Sequence, residues 1–141
     1  MEIEYLHTMI RVQDLDAALE FFVDTMGFIQ TSRQDNEGGR FSLIFLAAGP
    51  GQSTIELTHN WDNTESYGGG RNFGHLAYRV ENIHEYCAML MKKSVPILRP
   101  PRDGHMAFIR SPDGISIELL QKGPALEPIE PWISMPNQGE W

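Results

Sequence analysis

Polar and apolar positions alternate from Leu6 to Val12, with Leu6, Thr8, Ile10 and Val12 on one side and His7, Met9 and Arg11 on the other. A period of two predicts a β-strand with one covered face. The period then lengthens: Leu15, Ala18, Leu19, Phe22 and Met26 recur at helical spacing, Asp14 supplies an N-cap and Gly27 a C-terminal stop. Extended chain is expected from Phe28 to about Arg33 and a turn over Gln34-Asp35-Asn36-Glu37-Gly38-Gly39. Apolar strands follow from Arg40 to Ala47 and from Thr54 to Thr58, joined by Gly49-Pro50-Gly51-Gln52.

After a polar connector from Trp61 to Arg71 containing Gly68-Gly69-Gly70, the pattern starts again. Residues 73 to 80 read as a strand with His75, Ala77 and Arg79 on one face. Asn82 caps a second helix, with Glu85 three residues on. Its apolar stripe is Ile83, Tyr86, Cys87 and Leu90, which leaves His84 on the solvent side. Lys92 and Lys93 fall where the helix dipole favours cations. Short strands are expected at Val95 to Arg99 and Met106 to Arg110, a turn at Ser111-Pro112-Asp113-Gly114, and a last strand at Ile115 to Leu120.

The second half repeats the first. Leu6-His7-Thr8-Met9-Ile10-Arg11-Val12 lies over Gly74-His75-Leu76-Ala77-Tyr78-Arg79-Val80, and each half ends on a strand with a glutamate between apolar neighbours, Glu56 and Glu118. The fold class expected is α+β, built from two βαβββ modules. The modules run from about 5 to 60 and from 72 to 121 within one domain, 1 to 122. Residues 123 to 141 form a C-terminal tail rich in Pro, and its tryptophans Trp132 and Trp141 favour packing over disorder.

Composition narrows the function. A chain of 141 residues can bury roughly two thirds of its unfolded surface in one core. The single Cys87 excludes an internal disulfide, no leader is visible, and no apolar run approaches the roughly 18 residues of a membrane span, so a cytoplasmic protein is expected. A net charge of -8 and a pI near 5.0 argue against a nucleic-acid partner. Scattered arginines on an acidic protein hint instead at a small anionic ligand.

One glutamate on a strand is ordinarily a solvent-facing residue. Two of them, at matching places in modules whose first strands each hold a histidine, make a set of imidazoles and carboxylates suited to zinc, nickel, cobalt or iron. Such a metal polarises a carbonyl, and a glutamate beside it can move the proton on the adjacent carbon. His59 reads as a polar contact and Cys87 as buried filler.

The strings His7-Thr8-Met9-Ile10-Arg11-Val12, Ile55-Glu56-Leu57-Thr58-His59-Asn60-Trp61, Gly74-His75-Leu76-Ala77 and Ser111-Pro112-Asp113-Gly114-Ile115-Ser116-Ile117-Glu118-Leu119 resemble glyoxalase I (lactoylglutathione lyase) of the vicinal oxygen chelate superfamily, over residues 5 to 121. The resemblance implies that the two βαβββ modules form the cupped mixed sheets of the vicinal oxygen chelate fold, and a homodimer in which His7, Glu56, His75 and Glu118 bind one divalent metal at each site, nickel or cobalt ahead of zinc, with modules paired across chains. It implies a lyase for methylglyoxal detoxification, in which glutathione is cosubstrate and the hemithioacetal is isomerised to S-lactoylglutathione through a metal-bound enediolate. Glu118 is then the leading base, with Glu56 its counterpart, and Arg11, Asn60, Arg71 and Arg99 match family glutathione-binding positions. The resemblance breaks at Gly104 to Phe108, which is shorter than the family loop that helps cover glutathione, and in the tail. Alternatives are a thiol transferase, an epimerase, a dioxygenase, or a non-catalytic binding protein of the same superfamily.

Overall fold

The computed structural model describes residues Met1–Trp141, which form two compact units, Met1–Gly68 and Gly69–Trp141. The boundary falls in the glycine run of the connector.

In the first unit, β1 (His7–Arg11), β2 (Ile29–Asn36), β3 (Phe41–Ala47) and β4 (Thr54–Asn60) form a sheet of order β1-β4-β3-β2. β1 and β4 are parallel and the other pairs antiparallel. One face, carrying Ile10, Val12, Ile44, Leu46, Ile55 and Leu57, is buried with the helical segment. That segment begins as α1 (Leu15–Leu19), capped by Asp14, whose carboxylate accepts from the Ala17 amide at 3.0 Å. It continues as a π-helix over Glu20–Thr25. The widened turn, marked by the Met26 amide donating to the Phe21 carbonyl, lets adjacent Phe21 and Phe22 both reach the core, where their rings meet edge-on at 5.0 Å. A strict helical stripe had room for Phe22 alone. β2 runs past the expected turn to Asn36, because the edge pairing with β3 continues to Asn36 opposite Phe41. The turn is compressed into residues 37 to 40, with Arg40 at φ 55° held by Asp62 through two hydrogen bonds of 2.7 and 2.8 Å.

The second unit reproduces this topology. β5 (Leu76–Val80), β6 (Met106–Arg110) and β7 (Ser116–Gln121) are ordered β5-β7-β6, with β5 and β7 parallel and β6 and β7 antiparallel. β5, β7 and β6 therefore occupy the places of β1, β4 and β3. The counterpart of β2 is where the expectation fails. Val95 to Arg99 is not a strand but a single bridge of Arg99 to Phe108. Pro96 interrupts the segment and Pro100 follows it, and proline lacks the amide donor a ladder needs. The strand expected from 73 also starts later, so His75 lies just ahead of β5.

α2 (Ile83–Lys92) is capped by Asn82, which accepts from the Glu85 amide at 3.1 Å, and is tied to β7 by the buried Gln121, which accepts from the Ile83 amide at 2.8 Å. Its buried face is Ile83, His84, Cys87 and Leu90. His84 thus contradicts its expected exposure: only 8% remains accessible, and its ring stacks on Trp132 at 6.4 Å. The cause is the segment 123 to 141, which folds back along α2 and places Trp132 in the core. No helix is long and apolar enough to cross a membrane.

Candidate metal and active site

Strand register builds each half of the site. In the parallel β1–β4 pair, Met9 lies opposite Glu56 and His7 opposite Thr54, so His7 and Glu56 are diagonal neighbours on the face away from the helix. Glu56 is held there by its own strand, whose Ile55 and Leu57 point into the core. The His7 Nε2 and Glu56 Oε2 atoms are 3.0 Å apart. In the second unit Ala77 lies opposite Glu118, which brings His75 Nε2 to 2.9 Å from Glu118 Oε2. The glutamates are mostly buried and the imidazoles more open.

Both imidazoles are also gripped from the side. Phe45, opposite Glu56 on β3, meets His7 edge-on with ring centroids 5.3 Å apart; Phe108, opposite Glu118 on β6, meets His75 edge-on at 5.4 Å. These phenylalanines escaped the sequence reading, although Phe45 precedes Glu56 by 11 residues and Phe108 precedes Glu118 by 10. That near-match in spacing is the signal that could have found them.

Each unit therefore supplies one imidazole and one carboxylate in contact. Donor type fits a divalent metal, but two donors are half of a usual protein set, and no group of three or more His, Cys, Asp or Glu side chains is placed to hold an ion.

The other expected residues divide. Arg11 is exposed on the His7 face of β1 and lies opposite Thr58, two residues before Asn60 on the same face of β4. His7 and Glu56 thus stand at one end of this face, with a guanidinium and an amide some 13 Å further along, at about 3.3 Å per residue. Arg71 is exposed in the connector. Arg99 is committed to its own loop, donating to the Met106 carbonyl at 2.6 Å and reaching Asp103 at 3.5 Å. Burial works against ionisation of Asp103, but the His105 and Met106 amides and the Arg99 charge outweigh it, and the carboxyl lies below its ordinary value. His59 faces the Val12 carbonyl through Nδ1 at 3.3 Å, the polar contact expected of it. Cys87 is fully buried.

Paired β-β-β units with a His–Glu contact at corresponding places define a class, and known proteins of that class match. Residues 4–119 fit the Glyoxalase/Bleomycin resistance protein/Dioxygenase superfamily, and the chain belongs to it. The chain is similar to a probable lactoylglutathione lyase of Synechocystis sp., 42% identical over 123 residues that span 82% of this chain and 93% of that protein. A lactoylglutathione lyase of Neisseria meningitidis is 38% identical, over 83% and 89%. Among solved structures, the trypanothione-dependent glyoxalase I of Leishmania major superposes with a TM-score of 0.80 at 38% identity, covering 85% of this chain and 87% of that one. Within the superfamily the chain is a glyoxalase I-like enzyme, of the lactoylglutathione lyase-like, carbon–sulfur lyase kind.

Proposed function

We propose that this protein is a cytoplasmic enzyme that isomerises the hemithioacetal of methylglyoxal and glutathione to S-lactoylglutathione. The observation that carries the reading is the duplicated pair, His7 with Glu56 at 3.0 Å and His75 with Glu118 at 2.9 Å. The four side chains would hold one divalent metal, nickel or cobalt in preference to zinc, assembled in a homodimer from His7 and Glu56 of one protomer and the His75 and Glu118 of its partner. Bound there, the metal supplies Lewis acidity toward the two vicinal oxygens of the substrate.

The chain's own residues then divide the work. Glu118 takes the proton from C1 of the hemithioacetal and returns it to C2, so one C–H bond breaks and another forms with no net redox change. Glu56 is its counterpart in the other half. Phe45 and Phe108, edge-on to His7 and His75, fix the imidazole planes. Arg11 and Asn60, some 13 Å from His7 and Glu56 by strand spacing, meet the polar backbone and carboxylates of an extended thiol peptide. Arg71 adds a second cation, and Arg99 braces the 99–106 loop beside the site.

The test is metal analysis of the purified protein coupled to consumption of methylglyoxal with and without glutathione, across nickel, cobalt and zinc. Glutathione-dependent turnover that disappears on chelation is expected, with a loss of at least about a hundredfold in kcat for Glu118→Gln. A metal-loaded dimer that turns over no hemithioacetal refutes the reading. Trypanothione in a parallel arm separates a different thiol from a different reaction.

A further inference from the structure

The segment after β7 is a strap rather than a loose end. The Leu126 amide donates to the Gly104 carbonyl at 2.9 Å, Arg102 donates to the Met135 carbonyl at 2.9 Å and to Asn137 Oδ1 at 2.8 Å, and the Gln138 amide donates to the Leu98 carbonyl at 2.9 Å. Between these ties the strap makes a turn of its own. The Ile133 amide donates to the Ile129 carbonyl at 3.2 Å, and Ser134 donates to the Glu130 carboxylate from its hydroxyl at 2.6 Å and from its amide at 3.3 Å. The turn sets Trp132 against His84 of α2.

Strap and helix leave a groove between them. It measures about 440 Å³, the size of a small-molecule site, and is walled by His84, Ala88 and Met91 from α2 and by Ile129, Pro131 and Trp132 from the strap. The lining is almost wholly apolar, and Met91 and Ile129 are each 46% exposed. The exception in the wall is His84. Its side chain is more than nine-tenths buried, and its Nε2 is sealed from solvent without a hydrogen-bond partner. Buried ring nitrogens are ordinarily paired, because withdrawing one from water without replacing its hydrogen bond costs free energy.

We propose that this groove is a small-molecule site in its own right, which binds a neutral, largely apolar molecule carrying one hydroxyl, of the phenol or naphthol kind. The hydroxyl supplies the partner that His84 Nε2 lacks, and the apolar body covers Met91, Ile129 and Pro131. Charge selects a neutral ligand. Glu85 adjoins His84 on the helix and Glu130 adjoins Pro131 on the strap, both lining the groove, whereas Lys92 stands about 12 Å along α2 from His84 at 1.5 Å per residue. An anion seated against His84 would meet two carboxylates with its one cation out of reach, and an ammonium would lose its water to an apolar wall. A hydroxyl both donates and accepts, so it pairs with Nε2 in either tautomer. The site is independent of the reaction proposed above, since none of its residues belongs to either His–Glu pair.

The experiment titrates 1-naphthol and naphthalene into the full chain, followed by NMR chemical shifts, with 1-naphthoate and 1-naphthylmethylamine as charged counterparts. Wild type is compared with His84→Phe and Ala88→Trp. 1-Naphthol should bind wild type with a Kd on the order of 100 µM, and both charged compounds at least about tenfold more weakly. His84→Phe keeps a ring against Trp132 but removes its nitrogens, and should lower the affinity of naphthol relative to naphthalene roughly threefold to tenfold. Ala88→Trp, which fills the groove from a half-buried helix position, should abolish binding of both. No binding of 1-naphthol to wild type, tighter binding of 1-naphthoate, an unchanged ratio in His84→Phe, or undiminished binding in Ala88→Trp each overturns the proposal. Ala88→Trp and the charged compounds decide it even where His84→Phe fails to fold. A change of oligomeric state in Ala88→Trp, with wild type indifferent to 1-naphthol, also overturns it and makes the groove a contact between protein chains.

Discussion

Phe108 stands edge-on to His75 with ring centroids 5.4 Å apart, and it does so from the strand position directly opposite Glu118. Phe45 holds His7 in the same way at 5.3 Å. The two halves thus share a ring contact as well as the His–Glu pair itself. Removing either ring frees an imidazole to rotate away from its carboxylate. Phe45→Ala and Phe108→Ala should each weaken nickel binding about tenfold or more while leaving the His and Glu in place. Calorimetric titration of the apoprotein checks this; affinity equal to wild type in both variants would show that the contacts only fill space.

Because each unit carries only one His–Glu pair, two inactive variants should repair each other if sites form between protomers. His7→Ala and His75→Ala are each expected to be inactive. Mixed after mild unfolding and refolding, they produce heterodimers in which one site has lost both histidines and the other is wholly intact. Activity should then reappear, at up to half the wild-type value per heterodimer. Failure of the mixture to regain activity, with exchange of subunits verified by mass spectrometry, would place each complete site within a single protomer.

The strap depends on a glycine and a tryptophan far apart in sequence. At Gly104, φ is 70° and an added Cβ would approach the Leu126 carbonyl to 2.0 Å, so Gly104→Ala forces the strap outward at a cost of about 1–3 kcal/mol. Trp132, 3% exposed, leaves a large cavity on truncation, and Trp132→Ala should cost about 3–5 kcal/mol. Urea denaturation measures both. The prediction is wrong if the two variants unfold at the wild-type midpoint.

Cys87 is held as a neutral thiol. Burial pushes its pKa up to about 12 from an ordinary 9.0 and that of Tyr86, where burial acts first and the Cys87 charge second, also to about 12. Both groups are raised in the folded state, so the unfolded chain ionises first. Their contribution to stability is complete below about pH 9 and is lost as pH climbs toward 12. The native protein should resist thiol reagents at pH 8 and react promptly in denaturant, and Cys87→Ala should flatten the alkaline fall in stability. Rapid labelling of the native protein at pH 8 would contradict the burial of this side chain.

What the linear sequence determined about this protein is local or repeated. The period of two around His7, the caps Asp14 and Asn82 and the glutamates flanked by Ile and Leu are set by neighbours within a few residues, the duplication shows as a repeat of those local patterns, and together they sufficed to read paired modules and to single out the two His–Glu pairs. Tertiary structure decided the rest, because the deciding contacts join distant residues. Register across β3–β4 and β6–β7 selected Phe45 and Phe108. Two prolines and one surviving bridge reduced 95–99 from a strand to an edge contact. A tail without periodicity buried His84, which its helix alone would have left in water, and carried Trp141 to the ring beside His75. Period and capping are readable one turn at a time, whereas the energy of a stacked ring or a clamped strap exists only once the chain has returned upon itself.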